Sequence, residues 1–276
     1  MNPSMNRIDT RFAQLKASGR KALIPFFTAG DPSLEATVPA MHGLVAAGAD
    51  VLELGVPFSD PMADGPTIQR SSERALARGV GLSYVFDCVR QFRNKDTQTP
   101  VVLMGYLNPV EIRGSERFAV DAVAAGVDGV LLVDLPPEEL GEFRASFATH
   151  GLALILLASP TTTDARMTLL SDGAQGYLYY VALAGVTGAV QLDASAAGTR
   201  LRTIRTHSRV PVVAGFGITD AASAAAMATD ADGVVIGSAL VAAMAGATDP
   251  DDAAMRAQAF LAPLRAALDG PAQALR

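Results

Sequence analysis

Strands and helices alternate along this chain without a break, and that order leaves few folds open. Eight short apolar runs read as strands: Leu23–Phe27, Val51–Leu54, Val101–Gly105, Val130–Val133, Ala153–Leu157, Tyr177–Val181, Pro211–Ala214 and Val234–Ile236. Most are continuous in hydrophobicity, the mark of parallel strands covered on both faces. Between them lie stripes of helical period: Val38, Met41 and Val45; Leu82, Val85, Phe86, Val89 and Phe92; Leu140, Phe143 and Phe147. Pro39 falls inside the first of these helices and predicts a kink or a short first segment. Eight βα units in 276 residues match an α/β chain folded as a (β/α)8 TIM barrel. A doubly wound sheet, with its usual six strands, leaves two runs unplaced.

A weak repeat supports the alternation. Ala46-Ala47-Gly48-Ala49-Asp50 and Ala124-Ala125-Gly126-Val127-Asp128 precede the second and fourth strands. Ser171-Asp172-Gly173-Ala174 and Thr229-Asp230-Ala231-Asp232 precede the sixth and eighth. Each reads as a helix-ending turn, with glycine (absent from the last copy) accepting positive φ. Ile8, Phe12 and Leu15 predict an extra N-terminal helix closing the barrel bottom, and Asp249-Pro250 opens a final helix. Residues 1–276 read as one domain with no linker, frayed at 1–5 and 271–276.

Composition narrows the function. A net charge of −6 argues against nucleic-acid and anionic-membrane partners, which call for clustered Lys and Arg. The single Cys88 excludes an internal disulfide and fits a reducing compartment. The longest apolar candidate, Val234 to Ala247, is too short for a membrane span, and MNPSMNRIDT lacks a signal core. The expectation is a cytoplasmic globular protein.

In such a barrel, chemistry belongs at the C-terminal ends of the strands. None of His42, His150 and His207 follows a strand, which disfavours histidine acid–base chemistry and a histidine metal site. Lys16, Lys21 and Lys95 fail the same test, so a Schiff-base mechanism lacks its lysine. Carboxylates remain. Glu53 interrupts the second strand, and period-two alternation turns it into the barrel if Leu52 and Leu54 pack on helices. Burial raises a carboxyl pKa toward neutrality, which suits a proton donor and acceptor. The loop LGVPFSDPMADGP at 54–66 adds Asp60 and Asp64 among three prolines and two glycines. Gly215-Phe216-Gly217 follows the seventh strand; Gly237-Ser238 follows the eighth and opens the short helix Ala239–Ala245. Barrels commonly bind phosphate there, on backbone N–H groups and a positive helix end. Gly185-Val186-Thr187-Gly188 offers further donors.

Laid together, these residues resemble the tryptophan synthase alpha chain family from about residue 6 to residue 268. The anchors are PFFTAGDP (25–32), LELGVPFSDPMADGP (52–66), GYLNP (105–109), DLPPEE (134–139), GVTG (185–188), GFGI (215–218) and GS (237–238). The resemblance implies retro-aldol cleavage of indole-3-glycerol phosphate to indole and glyceraldehyde 3-phosphate, with Glu53 and Asp64 catalytic. It implies Phe26 and Met104 in an apolar indole pocket, Tyr179 lining the site, and Thr187 meeting Asp64 when the loops close. Gly188, Gly217, Gly237 and Ser238 match its phosphate binders. Asp60, Asn108 and Asp134 match positions facing a β chain. No metal or organic cofactor is implied in this chain; pyridoxal phosphate is expected in the β partner of an α2β2 heterotetramer. Leu183 departs from the arginine of some members, and 188–198 is small and flexible in composition. The rival readings are a self-sufficient lyase, a non-catalytic activating subunit, and another phosphosugar barrel such as an epimerase.

Overall fold

The computed structural model describes residues 6–181, 194–215 and 217–270. Eight parallel strands close into a barrel in chain order, with the last pairing the first. They are β1 (Ala22–Thr28), β2 (Leu52–Gly55), β3 (Val101–Gly105), β4 (Gly129–Leu132), β5 (Ala153–Ala158), β6 (Leu178–Val181), β7 (Val212–Gly215) and β8 (Gly233–Ile236). Every strand boundary lies within one residue of the expectation, and closure excludes the doubly wound sheet. The described helices are α1 (Arg7–Ser18), α2 (Thr37–Ala46), α3 (Pro66–Ala77), α4 (Leu82–Arg93), α5 (Leu107–Arg113) and α6 (Ser115–Ala125). They continue with α7 (Leu140–Thr149), α8 (Asp164–Gly173), α9 (Ala194–His207), α10 (Ala221–Ala228), α11 (Ser238–Met244) and α12 (Pro250–Asp269). The extra helices α3 and α5 are the next elements after β2 and β3, so they stand over the C-terminal end of the strands.

Register decides which side chains enter the barrel. Glu53 stands beside Phe26 and Val102, and Met104 beside Gly55 and Leu131; Tyr179 lies between Leu157 and Val213. At the bottom the interior positions are small. A Cβ on Gly129 would lie 3.0 Å from the Ile8 Cδ1, and one on Gly233 2.5 Å from the Ala22 Cβ. That space admits α1, whose Ile8, Phe12 and Leu15 are buried, as expected. The Phe12 ring reaches Tyr177 at 5.7 Å.

The repeat before the even strands has a chemical meaning beyond its glycines. Its last residue is Asp50, Asp128 and Asp232 in three copies, and in the copy at 171–174 the next residue, Gln175, takes that place. Each accepts the backbone N–H of an odd strand's first residues with its side chain: Leu23 at 2.9 Å, Val101 at 2.8 Å, Leu154 at 2.9 Å and Val212 at 2.9 Å. Each returns its own N–H to the same residue's carbonyl. Four such clamps tie odd strands to the following αβ turns. The positive-φ expectation holds at Gly48 and Gly126, whereas Gly173 ends α8 and the left-handed residue is Gly176.

Two details correct the sequence reading. Pro39 is the third residue of α2 and so falls in its first turn, where an N–H has no intrahelical partner to lose, rather than in its interior. The face of α2 is also turned: Thr37, Ala40, Met41 and Leu44 are buried, while Val38 and Val45 are only partly covered. The neighbour that turns it is α12, so close that a Cβ on Gly43 would lie 2.7 Å from the Ala254 carbonyl oxygen. Asp249 caps α12 by accepting from Asp252 N at 2.8 Å. The short helix after β8 spans Ser238–Met244, one residue earlier than expected.

Candidate active site

Glu53 is wholly buried, and among the described residues its Oε2 has no hydrogen-bond partner. Its Oε1 accepts from the Tyr177 hydroxyl at 2.5 Å. Burial pushes the carboxyl up to about 7, against the opposing pull of the Tyr177 hydrogen bond. Tyr177 is itself driven well above its ordinary value by burial and by Glu53, so it stays a donor. No arginine compensates Glu53: the pair a structural glutamate would require is missing among the described residues. One free carboxylate oxygen with a near-neutral pKa is equipped to exchange a proton with a ligand.

Asp64 approaches from the loop after β2. Its Oδ2 accepts from the Tyr106 hydroxyl at 3.2 Å, and that hydroxyl accepts from Ala63 N at 3.0 Å. Burial raises Asp64 to about 6. Tyr106 follows β3 and stacks on Phe58 at 4.9 Å, so one side chain holds both ends of the Ala63-Asp64 step. Asp64 opens onto a cleft lined by Phe26, Thr28, Gly55, Met104, Tyr106 and Val133, among others. Glu53 is not in the wall of this cleft. The Phe26 ring lies across Gly55, the next inward position of β2, since a Cβ there would meet its Cζ at 2.7 Å. Tyr179 is buried in the barrel near Glu53, with its hydroxyl over Gly215.

The glycine turns stand at the same end of the barrel. Gly217 has φ +67°, a conformation L side chains rarely adopt, with open space above it. Gly237 packs its Cα face toward Phe26, and Ser238 is the exposed first residue of α11. Thr187, Gly188 and Leu183, the 183–197 loop up to residue 193, Phe216 and both chain ends lie outside the described residues. The rim carries Asp60, Asn108 and Asp134, all exposed. Asp134 accepts from Leu107 N at 2.8 Å and so holds the start of α5. Met62 and Ile112 are exposed beside them in sequence, at 86% and 80%. His42 packs on Phe92, His150 pairs with Glu116, and His207 bonds the Thr203 carbonyl, all away from this cleft.

A family model described as tryptophan synthase alpha chain matches residues 12–268. The chain belongs to the tryptophan synthase alpha chain family. It is 72% identical over 266 residues to the tryptophan synthase alpha chain of Xanthomonas axonopodis pv. citri, covering 96% of this chain and 99% of that one. The crystal structure of tryptophan synthase subunit alpha from Legionella pneumophila superposes with a TM-score of 0.91 at 47% identity, covering 97% of this chain and all of that one. A chain of the tryptophan synthase complex from Pyrococcus furiosus gives 0.80 at 36% identity, over 89% and 98% of the two chains. The barrel of this tryptophan synthase alpha chain relative thus carries two tyrosine contacts that sequence reasoning passed over. Tyr177 reads as core at the edge of an apolar run, and Tyr106 as part of a turn.

Proposed function

We propose that the chain cleaves indole-3-glycerol phosphate to indole and glyceraldehyde 3-phosphate, with Glu53 and Asp64 as its two catalytic carboxylates. The observation that carries this reading is a buried Glu53 with a near-neutral pKa and one unpartnered oxygen, below a cleft edged by Asp64. Glu53 donates its proton to indole C3, which leaves the ring positively charged and able to take electrons. The hydroxyl on the adjoining glycerol carbon then loses its proton, returned to Glu53, and becomes the aldehyde. The carbon–carbon bond breaks, and its electrons restore neutral indole. Positive charge in the ring reaches the indole N–H, which Asp64 accepts as a carboxylate; preorganised charge of this kind favours the transition state over the substrate. Phe26, Met104 and Tyr179 form the apolar surroundings of the ring. Backbone amides at Gly217, Gly237 and Ser238 bind phosphate, joined by Gly188, and Thr187 closes on Asp64.

The reading extends to a cytoplasmic α2β2 assembly. A β chain carrying pyridoxal phosphate consumes the indole, docking on the rim at Asp60, Asn108 and Asp134. Support comes from the exposure of those residues together with Met62 and Ile112. The test is an assay of the purified chain with indole-3-glycerol phosphate, following indole and glyceraldehyde 3-phosphate separately. Equal release of both is expected; release of neither, with or without a β chain, refutes the assignment.

A further inference from the structure

The PFFTAGDP segment gives Phe26 to the cleft, yet its one carboxylate, Asp31, does not line it. Asp31 is buried just after β1, and both its oxygens accept from Arg74, at 2.7 and 2.8 Å, with Arg78 at 3.8 Å. Arg74 belongs to α3, the helix that begins two residues after Asp64. A second tie joins β1 to α3, the Thr28 and Ser71 hydroxyls at 2.6 Å. From the first turn of α3, Gln69 reaches back and donates to the Asp64 carbonyl at 2.8 Å and to that of Pro61 at 3.4 Å. The Asp31 loop is fixed in turn from behind, where Thr37 Oγ1 accepts from Gly30 N at 2.9 Å and meets the Tyr84 hydroxyl at 2.8 Å.

We propose that α3 is a splint for the Asp64 loop: Asp31 sets the helix through Arg74, and Gln69 passes that placement to the Asp64 backbone. All three are positioning residues, since none touches a reacting atom, and the inference rests on the catalytic reading of Asp64. The need is physical. Asp64 sits in a loop whose Met62, Ala63 and Gly65 are exposed, so little packing holds it. Displacing a reacting group by about 1 Å costs on the order of 10²-fold in rate.

Two variants of the full chain test this, Gln69→Leu and Arg74→Met, each checked for an intact fold by thermal melting. The Asp64 carboxyl is titrated by carbon NMR, and kcat and KM are measured for indole-3-glycerol phosphate. Tyr106, after β3, is the titratable group in contact with Asp64, and Asp134 acts on Tyr106 in turn. With the splint cut, Asp64 meets more water, so its titration falls from about 6 toward ordinary aspartate. The expected kinetic signature is a kcat about tenfold lower with KM changed less than about twofold. Folded variants in which Asp64 titrates as before and kcat is unchanged overturn the inference. A shifted titration in a chain that never cleaves the substrate would leave the splint standing and remove the catalytic reading instead.

Discussion

Burial and proton chemistry pull against each other at Glu53. Its folded pKa of about 7 lies above the ordinary 4.5, so the folded state holds the proton more tightly than the unfolded one. Stability is therefore fully present below about 4.5 and is lost as pH rises through about 7. At 1.36 kcal/mol per unit the loss amounts to about 3 kcal/mol. Glu53→Gln removes this titration. Its stability relative to wild type, from urea midpoints at pH 5 and pH 8, is expected to improve by about that amount at the higher pH. The same variant is expected to lose at least about 10²-fold in turnover, the scale of general acid–base catalysis, while still binding substrate. Residues at this scale were unequally legible in the sequence. Glu53 stood out because a charge inside an apolar strand demands a reason, and Asp64 because its loop is distinctive. Tyr177 did not, because its partner lies 124 residues away in the chain and a tyrosine in an apolar run looks like packing. Asp31 escaped for the same cause, its partner Arg74 lying in another element. Gln69 escaped although its contacts are local, because a glutamine in the first turn of a helix gives no sign of reaching back to the loop before it.

Among the elements, the four clamps before the even strands separate stability from chemistry. Asp128 accepts from Arg7 at 2.7 Å, Arg93 at 2.8 Å and Val101 N at 2.8 Å, at the end of the barrel opposite the cleft. Asp128→Asn leaves Arg93, only 11% exposed, without its charge partner. A loss of about 3 kcal/mol is expected by chemical denaturation, as for a broken buried ion pair, with kcat at wild-type level under native conditions. Strands were legible to within a residue because two-sided burial forces continuous apolar runs. Helix faces were less so. The stripe Val38, Met41, Val45 has the right period, yet α12 packs so closely on α2 at Gly43 that the small face is buried and the valines are left at its margin. The proposed phosphate site belongs to this scale too. Gly217→Val forces a branched side chain into φ +67°, so affinity for glycerol phosphates is expected to fall at least about tenfold while affinity for plain indole is kept, by calorimetry. Equal losses for both ligands would point to general disruption.

For the molecule as a whole, the proposed function puts catalysis and docking on one rim. Asp60 and Asp64 lie in the same loop, and Asp134 holds the α5 start that follows Tyr106, the residue bonded to Asp64. A partner that ordered this rim would also complete the proposed catalytic arrangement; binding and activation would then be coupled, reciprocally for ligand affinity. Asp60→Ala is expected to reduce activation by a β chain more than the basal rate, in paired assays with and without that chain. Full activity of the isolated chain, unchanged by a β chain, would favour the self-sufficient lyase. The barrel was legible from the alternation of elements; the partner was legible only through family resemblance, because three exposed polar residues scattered over the rim carry no signal of their own. The proposed reaction needs two carboxylates in opposite protonation states. Asp64 must be ionised, which requires a pH above about 6, and Glu53 must hold its proton, which requires a pH below about 7. The pH dependence of kcat/KM for indole-3-glycerol phosphate reads both groups in the free enzyme. A narrow bell centred between about 6 and about 7, whose acid limb disappears in Asp64→Asn, is the predicted result; a profile flat from about pH 5 to about pH 8 would contradict it.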